Sequence, residues 1–267
     1  MPRVISLKKK NKQYEVNFGL ENNNEDSFIC SEDLVVSYRL VRGKELNAVE
    51  YQIFIKDQAI DYLLQRSLRY SMIAYRSTEE INKYLKKLGA DLKTVDLITS
   101  KLKIRGLIDD EAFARKLVEV HFYEKRDGKE KILFTLEKRG FPVNLVKAII
   151  AEISPRDVER NLERLFAKKI TSLNTGSLKA VSDKMKRFLL GKGYGIYDVM
   201  TFVNQRQSDF SEYIDEEKEI IKDMERLRKR LERTEKSKEA LKQKLIKSLI
   251  ARGYKYALIN QILERRS

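Results

Sequence analysis

Four glycines at nearly regular spacing constrain the fold of this chain most strongly. Gly89, Gly140, Gly193 and Gly253 each follow an amphipathic segment, and they lie 51, 53 and 60 residues apart. Glycine is the usual residue just after the end of a helix, because it adopts the left-handed backbone conformation without a steric penalty. The spacing therefore predicts an internal repeat of roughly 50 residues that is built from helices.

Apolar residues recur at fixed distances on both sides of each glycine. One helical face has apolar residues eight and four positions before the glycine: Ile81, Ile132, Met185 and Leu245, and Leu85, Leu136, Leu189 and Leu249. A second has them three, six and nine positions after it: Leu92, Val143, Ile196 and Tyr256, then Val95, Val146, Val199 and Ile259, then Ile98, Ile149, Phe202 and Ile262. The pattern predicts a helix, a tight turn and a second helix around every glycine.

A further helical segment precedes each of these pairs, at 47–69, 109–125, 155–169 and 211–236. The sequence therefore predicts four three-helix repeats, with boundaries at 47–104, 105–153, 154–207 and 208–267. A repeat of this size buries too little surface to be stable alone, so we expect neighbours to stack into an elongated array. Asn47 with Glu50, and Ser77 with Glu80, have the spacing of capping boxes at helix starts.

The first 46 residues differ from the rest because they carry strand signals. Short apolar or alternating segments at 4–7, 14–18 and 28–30 are separated by turn-rich sequence, which predicts a three-stranded meander. Ser31 then caps a short helix, and Cys30 is expected to be a small buried residue rather than a reactive thiol. The predicted fold class is mostly α: a tandem array of three-helix repeats with a small N-terminal β-meander.

Composition excludes several classes of function. With 55 Lys and Arg against 40 Asp and Glu, the 267 residues carry a net charge of +15, which indicates an acidic partner. One cysteine and one histidine leave no disulfide framework and no Cys/His zinc set. The chain has no membrane-length apolar stretch and no signal peptide, so we expect a cytoplasmic protein.

The motifs that resemble catalytic or nucleotide sites have simpler structural explanations. Asp109 and Asp110 suit a helix cap and first turn better than a metal site, and the 191–195 segment lacks the P-loop pattern. His121 is expected to be a packing or surface residue. The sequence therefore predicts no catalytic residue, no cofactor and no metal, and it favours a protein that is not an enzyme.

Basic residues recur on the glycine-terminated helices and are the candidate partner-binding or DNA-binding residues. They are Lys83, Lys86, Lys87, Lys131, Lys138, Arg139, Lys186, Arg187, Lys192 and Arg252. Stacked repeats would align them into a basic stripe suited to a phosphate backbone or an acidic groove. The alternative is that cations near helix C-termini only complement the helix dipole and maintain solubility.

Three segments carry a resemblance to a known family. They are RSTEEINKYL from Arg76, GLIDDEAFA from Gly106 and GKEKILFTLEKRGF from Gly128, and VRGKEL from Val41 also fits. In their order and spacing they resemble the RecX family of proteins that regulate the RecA recombinase. The chain departs from the family pattern at Ala74 and Lys129, where members often carry Arg and Pro; partner binding through those two positions is therefore not implied.

The resemblance implies tandem three-helix repeats, no catalytic site, and binding to the RecA filament on single-stranded DNA. The leading hypothesis is a monomeric regulator that lies along the filament groove, contacts single-stranded DNA directly or within the filament, and alters recombinase, ATPase or coprotease activity in DNA repair, homologous recombination and the SOS response. The alternative is a direct DNA-binding protein with helix-turn-helix-like units, which could dimerise around Leu227 and Leu231. Heptad-like spacing within 213–252 allows a coiled coil, but two amphipathic helices are favoured.

Overall fold

A three-stranded antiparallel sheet begins the chain in the computed structural model, which describes residues 1–21, 24–173, 175–233, 235 and 237–265. Its strands are β1 (Arg3–Lys10), β2 (Gln13–Gly19) and β3 (Glu25–Ser31), paired in the order β1-β2-β3. The hydroxyl of Ser31 accepts a hydrogen bond from the Leu34 N–H and caps the short helix α1 (Glu32–Ser37). The predicted meander and its capped helix are confirmed.

Most of the remaining chain is helical. The whole chain divides into two compact units. The first unit comprises Met1–Arg115 and Glu137–Pro142, and the second comprises Lys116–Leu136 and Val143–Ser267. After α1, the helices of the first unit are α2 (Ala48–Ile73), α3 (Thr78–Lys87), α4 (Leu92–Ile104) and the start of α5 (Asp110–Glu119). Helix α2 continues four residues past the predicted end at Arg69, because neither Gly nor Pro interrupts the sequence there.

The remaining helices belong to the second unit, except that α6 ends in the first. They are α6 (Lys129–Lys138), α7 (Val143–Ala151), α8 (Pro155–Ile170), α9 (Leu178–Gly191), α10 (Ile196–Gln205), α11 (Gln207–Tyr213), α12 (Glu216–Leu231), α13 (Lys238–Ala251) and α14 (Tyr256–Arg265). The predicted helix 109–125 is α5 followed by a π-helical turn, Val120–Glu124. The mostly α fold class is confirmed, whereas the exact repeat boundaries remain a prediction.

The glycine pattern describes the turns correctly. All four anchor glycines have a left-handed backbone, with φ between 84° at Gly193 and 93° at Gly253. The residues eight and four before each glycine, and six and nine after it, are all buried. The position three after the glycine is different: Leu92, Ile196 and Tyr256 are 68%, 64% and 58% exposed.

That exposure has a simple geometric cause. The position three after the glycine is the first residue of α4, α10 and α14. Side chains on an α-helix tilt toward its N-terminus, so a side chain in the first position extends past the helix end. The second apolar face therefore covers the core only from the sixth position onward.

Segment 213–252 forms two helices rather than one long coiled-coil helix. Helix α12 ends at Leu231 and α13 begins after Ser237, whose hydroxyl accepts from the Ala240 N–H. Ile220, Met224 and Leu227 of α12 are buried in one cluster with residues of α13 and α14. The preference for two amphipathic helices is confirmed, although Thr234 of the heptad-like pattern and Lys236, the predicted end of the helix 211–236, lie outside the described residues.

Cys30 lies in the core between the sheet and α2, and its side chain is fully buried. Burial, with the nearby charge of Asp61 adding to it, raises the pKa of the thiol to about 12. Because the thiolate is the reactive form, we expect Cys30 in the folded chain to react with Ellman's reagent at pH 8 about a hundredfold more slowly than in urea. Equal rates in the folded and unfolded chain would contradict this placement.

Candidate functional site

In the first unit, the N-cap residue of α3 is hydrogen-bonded to a backbone carbonyl just after the end of α6. The Ser77 hydroxyl accepts from the Glu80 N–H and donates to the Arg139 carbonyl oxygen at 3.3 Å. The Glu80 carboxylate completes the capping box by accepting from the Ser77 N–H at 2.9 Å. We call this contact, between the start of one glycine-terminated helix and the carbonyls at the end of the next, a cap junction.

Two more cap junctions occur in the second unit. At the start of α6, the Gly128 N–H donates to the Lys192 carbonyl at 2.7 Å and the Glu130 N–H donates to the Gly193 carbonyl at 3.0 Å. At the start of α9, the Ser177 hydroxyl donates to the Arg252 carbonyl at 2.7 Å. Each contact joins the partially positive start of one helix to the partially negative end of another, which is electrostatically favourable.

Acidic residues support two of the three junctions. The Asp110 carboxylate accepts from the Thr78 N–H at 2.7 Å, and the Glu216 carboxylate accepts from the Leu178 N–H at 3.0 Å. Both carboxylates lie in the first turn of their helices, Asp110 in α5 and Glu216 in α12. Asp109 caps its own helix at Ala112, as predicted, so the Asp109–Asp110 pair serves two helix starts.

Asp127, next to Gly128, is the most buried acid of this region, and its carboxylate contacts two side-chain nitrogens. It lies 2.8 Å from the Lys131 Nζ and 2.9 Å from the His121 Nδ1. Burial raises the pKa of the Asp127 carboxyl, but the hydrogen bonds from Lys131 and His121, together with the charges of Lys131 and Lys192, lower it by more, so the net shift is downward. The single histidine is thus part of a packed polar cluster, in accordance with the structural role predicted for it.

Four of the ten predicted partner-binding cations form ion pairs with carboxylates in the described residues. Lys83 pairs with Glu79, Lys131 with Asp127, Arg139 with Glu80 and Arg252 with Asp223. Arg139 also lies over the Phe113 ring at 4.8 Å. The pairs of Lys131, Arg139 and Arg252 lie beside the cap junctions, whereas the Lys83–Glu79 pair joins successive turns of α3.

The other six cations differ in exposure and contacts. Lys86, Lys87, Lys138 and Arg187 are exposed, whereas Lys186 and Lys192 are half-buried. The Arg187 Nε donates to the Asp183 carbonyl at 3.3 Å. In the described part of the chain Lys86 and Lys87 form no ion pair, and they occupy the last turn of α3, where they also complement the helix dipole. All ten positions remain a prediction as partner-binding residues.

Sequence reasoning missed a cluster of tyrosines and arginines on α2 and α3. The Arg66 Nε donates to the Tyr84 hydroxyl, the Tyr84 and Tyr70 rings stack at 4.2 Å, and the Arg76 guanidinium lies 4.2 Å from the Tyr70 ring centre. A signal was present, because Tyr62, Arg66 and Tyr70 lie four residues apart and share one helical face.

The described residues contain no group of three or more His, Cys, Asp or Glu side chains arranged to hold a metal ion. None of the described helices is both long and apolar enough to cross a membrane. The features that recur in this structure are the cap junctions, the glycine turns and the basic helix ends.

Comparison with known proteins places the chain among full-length relatives. A regulatory protein RecX from Streptococcus agalactiae serotype V is 25% identical over 264 residues, 98% of either chain. One from Oceanobacillus iheyensis is 24% identical over 265 residues, which is 98% of this chain and 96% of that one. A crystal structure of regulatory protein RecX shares the fold, with a TM-score of 0.63 and 19% identity over 76% of this chain and all of that chain. No protein-family profile matches the chain.

The glycine-anchored helices and their cap junctions define a tandem helical-repeat protein with a small N-terminal sheet. The relatives that match it over almost its full length are named as regulatory proteins. In sequence over almost its whole length, and in fold, the chain is similar to the RecX regulatory proteins.

Proposed function

We propose that the chain is a non-enzymatic, cytoplasmic regulator of the RecA recombinase. It binds the RecA filament assembled on single-stranded DNA, along the filament groove, and changes recombinase, ATPase or coprotease activity in DNA repair and the SOS response. The observation that carries the proposal is the match to RecX regulatory proteins over 98% of the chain. The excess of positive charge supports a partner that contains nucleic acid.

The repeats suggest how such binding would gain strength. A filament presents the same surface many times, and a chain of similar repeats can contact several of its subunits at once. Each contact then raises the effective concentration of the next, so individually weak contacts give tight binding. Occupation of the groove would compete with a second DNA molecule or alter subunit packing, and either effect would change filament activity.

Exposed side chains favour this proposal over direct reading of duplex DNA. In a helix-turn-helix protein the second helix presents polar residues to base edges near its start. Here the helices after three of the glycine turns begin with the exposed side chains of Leu92, Ile196 and Tyr256, and Tyr197 is 79% exposed beside Ile196. The polar groups of these four side chains are the two tyrosine hydroxyls, which is little for base recognition.

The proposal is tested by binding to RecA filaments formed on single-stranded DNA with a slowly hydrolysed ATP analogue. Bare single strands and duplex are measured beside the filament, and ATPase and strand exchange are followed in parallel. We expect preferential binding to the filament together with a change in both activities. Tighter binding to bare duplex, with no effect on the filament, would overturn the proposal and favour the DNA-binding alternative.

Charge reversal at Lys86 and Lys87 is expected to weaken filament binding about tenfold, with a melting temperature lowered by a few degrees because the new carboxylates oppose the α3 dipole. Both side chains are exposed and form no ion pair among the described residues, so their replacement by Glu leaves the folded contacts intact. Lys8 and Lys12, exposed in the N-terminal hairpin, give a control double reversal with the same change in net charge. Equal weakening by both doubles would show that only net charge matters.

A further inference from the structure

Five side chains on one side of α2 and α3 form what we call the tyrosine–arginine ladder: Tyr62, Arg66, Tyr70, Arg76 and Tyr84. The Arg66 guanidinium lies 5.8 Å from the Tyr62 ring centre and donates hydrogen bonds to both the Tyr62 and Tyr84 hydroxyls. The Tyr70 and Tyr84 rings are nearly parallel, with an interplanar angle of 14°. The guanidinium planes are thus held against aromatic rings.

The charges of the ladder are not neutralised by the protein. Arg66 and Arg76 have no carboxylate partner in the described residues, unlike the arginines of the cap junctions. Arg69 nearby bonds only to the Gln65 carbonyl and the Gln13 amide oxygen. Arg76 is half-buried, and its Nε is enclosed without an acceptor among the described residues. Three guanidinium groups therefore present uncompensated positive charge on one surface.

This combination of planes and charge fits one class of ligand. Single-stranded nucleic acids bind where aromatic rings and guanidinium planes stack on exposed bases and cations contact the phosphates. Duplex DNA hides its base faces, and an acidic protein would need the charges but not the rings. Tyr62, with 41% of its surface exposed, offers a ring face to a base at the edge of the ladder.

We propose that the tyrosine–arginine ladder is a binding surface for a single-stranded polynucleotide, with bases stacked at Tyr62 and phosphates contacted by Arg66, Arg69 and Arg76. The site deepens the function proposed above and rests on it for the choice of DNA as the natural strand. In a RecA filament, this surface of the first unit would then contact the single-stranded DNA directly.

The test uses the full chain and a fluorescein-labelled 20-nucleotide oligo(dT), with oligo(rU) of equal length and a 20-base-pair duplex measured beside it. The double variant Arg66→Lys with Arg76→Lys keeps every charge but loses the planar groups, and we expect about tenfold weaker binding to oligo(dT). Tyr62→Ala, at a partly exposed position, should weaken binding by about the same factor. The control is Arg156→Lys with Arg164→Lys, two exposed arginines of the second unit outside the predicted binding residues, which should bind like the wild type.

Binding of both ladder variants within twofold of the wild type would overturn the site, as would equal wild-type affinity for duplex and oligo(dT). Melting temperatures identify a variant that fails to fold, and Tyr62→Ala then decides the outcome.

The experiment distinguishes failure of the proposed site from failure of the proposed function. Wild type that binds oligo(dT) but not the RecA filament removes the regulator function and leaves the site. If the wild type binds the filament and the ladder variants still bind oligo(dT) normally, the regulator function is kept and the proposed site is removed. The ratio of oligo(rU) to oligo(dT) affinity identifies the preferred sugar.

Discussion

Replacement of Gly128 by alanine is expected to lower the free energy of unfolding by about 3 kcal/mol or more, because the backbone of another helix end occupies the space. A Cβ atom on Gly128 would lie 2.1 Å from the Gly193 carbonyl oxygen and 2.4 Å from the Tyr194 nitrogen. Both neighbouring atoms belong to the backbone of the cap junction, so no side-chain rotation relieves the overlap. Urea denaturation followed by circular dichroism measures the loss.

Two other glycines provide matched controls for that substitution. Gly191 lies at the helical end of α9 with open space around its Cα, so Gly191→Ala should stabilise by about 0.5 to 1 kcal/mol. Gly89 also has open space but a φ of 86°, so Gly89→Ala should cost about 1 to 2 kcal/mol from backbone conformation alone. A similar loss for Gly89→Ala and Gly128→Ala would contradict the close packing at the junction.

Asp127→Asn is expected to cost about 3 kcal/mol at pH 7. The variant keeps the shape of the side chain but removes the charge that is bound by Lys131 and His121 in a buried setting. Asp96→Asn, at an exposed position of α4, should change stability by about 0.5 kcal/mol or less. Denaturation curves of the two variants and the wild type give both values.

The same substitution should show a defined pH dependence. The folded-state pKa of Asp127 is lowered below its ordinary value of 3.8. Its stabilising effect is therefore complete above pH 3.8, and it is lost as the pH falls from there through the folded-state pKa. The difference in the free energy of unfolding between wild type and Asp127→Asn should shrink as the pH falls below about 3.8. A difference that grows on acidification would contradict the assigned ion pairs.

Much of the fold follows from local rules that are readable in the sequence. The glycine stops, the caps at Ser31, Asn47 and Ser77, and the buried positions around each glycine depend on residues close together in the chain. The exposed side chains of Leu92, Ile196 and Tyr256 were not predicted, because apolar periodicity alone does not tell where a helix begins. The π-helical turn after α5 also left no periodic signal.

The candidate site was less predictable because it depends on contacts between distant parts of the chain. In the sequence, Arg139 and Arg252 fit the predicted basic stripe. In the structure they pair with Glu80 and Asp223, which lie 59 and 29 residues earlier in the chain. The tyrosine–arginine ladder joins α2 to α3 across 18 residues between Arg66 and Tyr84. Spacing along one helix could indicate half of that ladder, but only the packing of the two helices brings in the rest.

The cap junctions have a consequence for how such chains can change in length during evolution. Their bonds run mainly between backbone carbonyls and either a serine hydroxyl or a glycine N–H, so they place few demands on the rest of the sequence. A duplicated repeat would carry both halves of the contact with it, and a deletion of one whole repeat would leave two compatible ends. Insertions and losses in steps of one repeat are therefore tolerated, whereas a partial repeat would leave a helix end without its partner.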